Sequence, residues 1–226
     1  MRTKLSEQPL FLLVAGVGSA AMFIPALHAL AFEEHAEARA FFYSGLLGLV
    51  LLWFIALARS NQPRRKSLMH NLFALFGVYA VLPLWLAVPF YEALQTTTFV
   101  NAWLEMVSSL TTTGATILTG LDNMPPGILL WRSLLQWIGG IGIVVLGIWL
   151  LPGLRIGGSQ LFSIESSETS SKPYGRFEPF MIRLLILYGV LTTTSGLLYY
   201  LAGMTAFEAV NHAMTTVSTG GFSTSG

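Results

Sequence analysis

Five long apolar runs constrain this chain more than any other feature of its sequence. Each has about 20 residues or more, enough for a helix rising 1.5 Å per residue to cross a hydrocarbon layer about 30 Å thick. Only 10% of the 226 residues are charged and 54% are hydrophobic, too few polar side chains to cover a water-soluble fold. We therefore expect an all-α polytopic membrane protein in the lipid bilayer, with five transmembrane helices at Pro9–Leu30, Ala40–Ala58, Leu68–Phe90, Gly127–Leu151 and Phe180–Leu201.

Charge and composition exclude several other classes of function. The formal net charge is +1 and the longest basic run is Arg64–Lys66, so a nucleic-acid partner is not expected. The chain has no cysteine, which excludes disulfides, thiolate nucleophiles and cysteine-based metal sites. Its four histidines lack metal-ligand spacing: His28, His35, His70 and His212.

The signs of the charges between the spans predict the orientation of the chain. Basic segments tend to remain in the cytoplasm, so Arg2 and Lys4 place the N-terminus inside. The acidic segment Phe32–Arg39 then lies outside and the basic segment Arg59–Lys66 inside. The same rule places Tyr91–Pro126 outside, because the next basic segment, which holds Arg155, Lys172 and Arg176, follows the fourth span.

The outer segment Tyr91–Pro126 has an unusual composition. Thr98–Leu110 suits a helix that is too short to span, and it leads into the hydroxyl- and glycine-containing stretch Thr111–Thr116. Short apolar pieces of this kind often enter and leave the membrane on one face, with irregular backbone lining a watery cavity. We therefore expect a re-entrant pore helix and filter loop.

A second segment after the fifth span repeats this arrangement. Phe207–Thr216 is a short helix candidate that leads into Val217–Thr224. Aligning Gly114 with Gly220, an offset of 106 residues, places hydroxyl residues on hydroxyl residues. The charge rule places both loops on the same face, which favours a span, short helix, loop and span as the repeat unit.

Both loops have the chemistry that a dehydrated cation needs. Backbone carbonyls and hydroxyls can replace its lost water, and glycine gives the backbone conformational freedom. The C-terminal ends of the short helices carry partial negative charge, which also favours a cation. An ordinary exposed loop is the alternative for one such stretch, and two matched stretches make it less favoured.

Four motifs in order resemble the TrkH/TrkG branch of the bacterial Trk/Ktr/HKT potassium transporters. The first filter stretch 108–116 is followed by 131–142, with Trp-Arg-Ser-Leu-Leu-Gln-Trp-Ile-Gly-Gly-Ile-Gly. Residues 151–162 and the second filter stretch 216–222 complete the pattern, which covers nearly the whole chain.

The resemblance implies a potassium-uptake protein of the bacterial inner membrane rather than an enzyme. It implies four span-loop-span repeats around one pore, a cytosolic nucleotide-binding regulatory subunit of the TrkA type, and a homodimer when complete. The transported potassium ion would be coordinated by Thr112, Thr113, Gly114, Ser218, Thr219 and Gly220. Gly114 resembles the potassium-preferring members, where plant sodium transporters carry serine.

The sequence departs from the family in its length. It stops at Gly226, just past the second filter, so half of the pore is missing, and the favoured explanation is a truncated gene product or a partial coding sequence of a longer permease. The domain division we expect is two N-terminal spans (1–66), a first repeat (67–151), a cytoplasmic connection (152–178) and a second repeat cut after its loop (179–226). Alternatives are a sodium-selective or unselective cation channel of this architecture and a non-conducting truncated product.

Several other residues require an interpretation. Arg132 is costly near a membrane core and needs a partner, for which Asp122 and Glu105 are candidates. Glu105 and Asn211 each precede a filter glycine by nine residues, which is consistent with pore-helix bracing or with chance. Residues 139–142, Gly-Gly-Ile-Gly, are expected to allow close helix packing rather than nucleotide binding. A hydrolase using His212 with Ser108 or Ser218 is disfavoured because no activating constellation is visible.

Overall fold

The computed structural model of the chain describes residues 10–59, 68–154 and 177–226. Every regular element in these ranges is helical, and five stretches are long and apolar enough to cross a membrane: Phe11–Ala31, His35–Ala58, Leu72–Leu94, Pro126–Leu146 and Met181–Leu201. The prediction of an all-α polytopic protein with five spans is therefore confirmed. The basic residues used to predict orientation at 2, 4 and 64–66, and positions 155–176 of the predicted connection, lie outside the described ranges.

Within those ranges we number the α-helices in chain order. They are α1 (Leu10–Ala21), α2 (Phe23–Ala31), α3 (His35–Ala58), α4 (Leu68–Phe76), α5 (Leu82–Leu94), α6 (Phe99–Leu110), α7 (Pro126–Leu154), α8 (Phe177–Leu201) and α9 (Ala206–Val217). Helices α1 and α2 together form the first span, and α4 and α5 form the third.

The first and third spans are interrupted where proline dictates it. Pro25 has no N–H and its ring crowds the carbonyl four residues earlier, at Ala21, where α1 ends. In the third span, one π-helical turn at Gly77–Val81 precedes Pro83. The carbonyl oxygen of Ala80 in this turn accepts a hydrogen bond of 3.2 Å from the indole nitrogen of Trp103. The irregular turn thus provides an anchor for the short helix α6.

The first outer loop is shorter than the sequence suggested. Helix α3 begins at His35, so only Phe32–Glu34 connect it to α2. The predicted loop Phe32–Arg39 is wrong in its second half, because the last residues belong to the helix. Glu37 is buried there with 4% exposure, which a solvated acidic loop would not produce.

Helix α7 lies at the centre of the packing. It contacts α2, α5 and both short helices, and over half of its residues from Pro126 to Leu146 are buried. Trp131 on α7 is fully buried, stacks edge-on against Phe41 and donates a 3.3 Å hydrogen bond to the carbonyl of Leu86. By contrast, no residue of the span Met181–Leu201 in α8 is buried. Central α7 is therefore the element that positions both loops.

Candidate functional site

Two short helices, α6 and α9, each end in an irregular loop that contains hydroxyl groups and glycine. Both are 12 residues long, too short to span. Thr98 caps α6 by accepting a hydrogen bond from the amide of Asn101 at 3.3 Å. Thr205 caps α9 through a capping box with Glu208. These helices match the two predicted from sequence within one residue at each end.

The structural repeat has an offset of 107 residues. The caps Thr98 and Thr205 are 107 apart, as are the first and last residues of α6 and α9. The first loop has positive φ at Thr112 (56°) and Gly114 (75°). The second loop has positive φ at Thr219 (59°) and Gly221 (74°), again 107 residues later.

The predicted offset of 106 residues is therefore wrong by one. The structural counterpart of Gly114 is Gly221, and Gly220 corresponds to Thr113. The counterpart of Glu105 is His212 rather than Asn211. Sequence alignment missed this because the second loop carries two adjacent glycines, and only the backbone dihedral angles distinguish them.

The loop amides turn back onto the ends of the short helices. The amide of Thr113 donates to the carbonyl of Ser108 at 3.0 Å, and the amide of Gly220 donates to that of Thr215 at 2.9 Å. In the described part of the chain, no hydrogen bond reaches the carbonyl oxygens of the six predicted filter residues, Thr112, Thr113, Gly114, Ser218, Thr219 and Gly220. Among the described residues, these six carbonyl oxygens thus have no protein donor, whereas the Thr113 hydroxyl is hydrogen-bonded to that of Thr111 at 2.8 Å.

The two loops lie against each other. A Cβ added to Gly114 would overlap the carbonyl oxygen of Gly220, so the backbones meet where no side chain fits. Both loops follow the C-terminal ends of α6 and α9, and the partial negative charge of those ends favours a cation nearby. The predicted site residues from two distant parts of the sequence therefore form one cluster with a sign suited to cations.

Arg132 on α7 has Glu105 on α6 as its partner. Its Nε donates to Glu105 Oε2 at 3.2 Å, and both side chains are at most 1% exposed. Of the two candidates, Glu105 is confirmed and Asp122 is not its partner. The pairing compensates a buried charge that would otherwise be costly in the membrane.

Gln136 is a site residue that the sequence analysis missed. It lies one turn beyond Arg132 on α7, is fully buried, and its Oε1 accepts a 3.3 Å hydrogen bond from the amide of Phe222. A Cβ added to Gly220 would overlap the Gln136 amide group, so the loop backbone packs directly on it. A polar residue inside an apolar span was the available signal.

Two of the three glycines predicted to allow close packing, Gly139 and Gly140, do so, whereas a Cβ at Gly142 would meet nothing within 4 Å. A Cβ at Gly139 would overlap the backbone carbonyl of Leu110 at the end of α6. A Cβ at Gly140 would lie 2.6 Å from the hydroxyl of Tyr188 and 2.8 Å from Cβ of Ser218. These glycines are inside a helix, so they form no nucleotide-binding loop.

The structure does not bring the disfavoured hydrolase residues together. Ser108 Oγ has no hydrogen-bond partner in the described ranges. Nε2 of His212 lies 3.4 Å from Thr224 Oγ1 in the second loop. The same ranges contain no group of three or more His, Cys, Asp or Glu side chains that could hold a metal ion.

Comparison with known proteins agrees with this geometry. Residues 35–226 match the model of the TrkH family, described as a cation transport protein. The potassium uptake protein TrkH of Escherichia coli K12 is 36% identical over 218 residues, covering 91% of this chain and 43% of that protein. The potassium uptake protein TrkI of Halomonas elongata is 44% identical over 147 residues, or 65% of this chain and 29% of its own length.

A solved structure has the same fold. The crystal structure of the potassium transporter TrkH from Vibrio parahaemolyticus superposes with a TM-score of 0.77 at 33% identity, covering 94% of this chain and 42% of that one. The chain thus spans less than half the length of the relatives it matches. It belongs to the TrkH family of cation transport proteins, as its sequence motifs suggested.

Proposed function

We propose that this chain contributes two of the filter loops of a potassium-uptake permease in the bacterial inner membrane. The observation that carries the proposal is that six carbonyl oxygens on two adjoining loops accept no hydrogen bond in the described part of the chain, and that each loop follows the C-terminal end of a short helix. Such oxygens can replace the hydration shell of potassium without binding it irreversibly. The relatives named as potassium uptake proteins support the choice of ion.

The proposed ligands are the oxygens of Thr112, Thr113 and Gly114 in the first loop and of Ser218, Thr219 and Gly220 in the second. The repeat register adds Gly221, whose backbone has the conformation of Gly114. Permeation through such a site needs no bond chemistry, so the protein acts as a pore rather than an enzyme.

The proposal includes an arrangement in the membrane. The N-terminus is cytoplasmic, both filter loops open to the periplasm, and the two N-terminal spans (1–66) precede a first repeat (67–151). A cytoplasmic connection (152–178) leads to the second repeat (179–226). A TrkA-like nucleotide-binding subunit and a second copy of the permease are its proposed partners, on the strength of family membership.

Complementation tests the function directly. The gene that encodes this chain, in its complete reading frame, should restore growth at micromolar potassium to a bacterium lacking its own uptake systems. Expression of residues 1–226 alone should not, because two loops supply half of a four-loop filter. Rescue by the short form would contradict the requirement for further repeats, and no rescue by either form would contradict the function.

Substitution of Gly114 tests the proposed selectivity for potassium over sodium. Serine at this position must adopt φ near 75° and place a Cβ on the Gly220 carbonyl, so Gly114→Ser should lower the potassium-to-sodium permeability ratio by about tenfold. Gly120→Ser is the matched control, because Gly120 also has positive φ (70°) but open space around its Cβ. Equal permeability to both ions in the unmodified protein would instead favour an unselective cation channel.

A further inference from the structure

Arg132 does more than neutralise Glu105. Its Nη2 also donates to Thr116 Oγ1 at 3.0 Å, just after the first filter residues. Glu105 Oε1 accepts from the same Thr116 hydroxyl at 2.6 Å and from the amide of Ile117 at 2.7 Å. The ion pair therefore fixes the irregular segment that leaves the first loop.

The same guanidinium contacts the second loop. Its central carbon lies 4.1 Å from the ring centroid of Phe222, the residue after Gly221. Phe222 is 3% exposed, and its amide is held by Gln136 one turn along α7. One face of α7 therefore binds both loops, through side chains at positions 132 and 136.

We propose that Arg132 is a positioning residue that sets the spacing between the two filter loops, a role that rests on the permeation function proposed above. A guanidinium donates hydrogen bonds from its edge while its flat face stacks on an aromatic ring, so one side chain holds both loops. If Arg132 served only to neutralise Glu105, it would not need to stack on Phe222. The second loop is also held by the contact between His212 on α9 and Thr224. The stacking on Phe222 is therefore not needed to hold the second loop to its own helix and serves as a link between the two loops.

Ion selectivity provides a readout that a merely structural role would not change. Arg132→Lys keeps the charge but loses the flat face, and we expect the potassium-to-sodium permeability ratio of the complete permease to fall about tenfold. Phe222→Leu should produce a similar fall with the ion pair intact. Ser133→Ala is the matched control, because the one hydrogen bond of buried Ser133 within the described ranges goes to the carbonyl of Leu129 on its own helix. An unchanged ratio in both variants would overturn the proposal.

A charge swap separates the ion pair from the stacking. Glu105→Arg combined with Arg132→Glu restores opposite charges but leaves a carboxylate beside Phe222. We expect the double variant to be produced at normal levels and to remain poorly selective. Full recovery of selectivity would show that the ion pair alone is sufficient, which contradicts a role in linking the loops.

Amide hydrogen exchange tests the link without any transport measurement. Arg132→Ala should accelerate exchange about tenfold in both loops, at 111–118 and at 218–225, whereas Phe222→Leu should do so only in the second. Acceleration confined to the first loop in Arg132→Ala would overturn the proposal. An unmodified permease that fails to pass potassium while both loops respond as expected would contradict the proposed function and leave the positioning established.

Discussion

The backbone at Thr112 and Thr219 has positive φ, which is uncommon for a residue with a branched Cβ. Such a conformation costs on the order of 1–3 kcal/mol and persists only where the surroundings impose it. Here the amide of Thr112 donates to the carbonyl of Ser109 at 3.1 Å, and that of Thr219 donates to Thr216 at 2.9 Å. The same strained residue at the same place in two repeats points to a shared functional constraint on the loops.

Glu208 makes the stability of the folded protein depend on pH. Its carboxylate accepts hydrogen bonds from the amide and hydroxyl of Thr205 at 2.9 and 2.8 Å, and these bonds, the amide foremost, lower the pKa of Glu208 below its ordinary 4.5. Because the folded pKa is depressed, this stabilisation is complete above pH 4.5 and is lost as the pH falls through the lower folded value.

Removing this carboxylate should therefore reduce acid sensitivity. Between about pH 7 and pH 3, the unfolding temperature of Glu208→Gln should fall less than that of the unmodified protein, measured in detergent. Thr205→Val, which removes both hydrogen bonds of the hydroxyl but keeps the bond from the Thr205 amide to the carboxylate, should lie between the two. Identical acid sensitivity in all three proteins would contradict the assignment of the capping box.

At the scale of elements, the close contact of α6 with α7 depends on the lack of a side chain at Gly139. Gly139→Ala places a methyl group on the carbonyl of Leu110, and overpacking of this kind costs about 1–3 kcal/mol. Gly142→Ala is the matched control, because its Cβ meets nothing within 4 Å and alanine is the better helix former. We expect thermal unfolding at a lower temperature for Gly139→Ala and no loss for Gly142→Ala. Equal stability would show that α6 can move without cost.

The elements themselves could be predicted from the sequence because their signals are local. Hydrophobic length predicts each span, and a short apolar piece that leads into a hydroxyl- and glycine-containing stretch predicts each short helix. The loop register could not be predicted, because Gly220 and Gly221 satisfy the same pattern and only a dihedral angle separates them. The role of Gln136 was also missed, since its partner Phe222 is 86 residues away and only tertiary structure brings them together.

At the scale of the whole molecule, burial is distributed unevenly. Helix α7 is packed on several sides, while α8 presents large apolar residues to its surroundings, among them Ile186, Leu198 and Leu201. Within a bilayer, lipid or additional protein must cover that face, because the hydrocarbon core contains no water. The short helix α9 packs against both α7 and α8, whereas α6 packs against α5 and α7.

The proposed orientation makes a prediction for the whole chain. Residues 1–226 contain no cysteine, so a single thiol introduced here has no native thiol in the same part of the chain. A membrane-impermeant thiol reagent applied to intact cells should label Ala115→Cys and Ser225→Cys, both of which are exposed residues in the two loops. Ser60→Cys, in the segment predicted to be cytoplasmic, should be labelled only after the membrane is permeabilised.

The labelling result bears on fold and function together. Gly114 and Gly220 adjoin, so the residues beside them must have access from the same side of the membrane. Labelling of both loops only after permeabilisation would reverse the orientation but preserve the paired loops. Labelling of the two loops from opposite sides would contradict the paired arrangement, and with it a shared cation site, since oxygens on opposite faces cannot surround one ion.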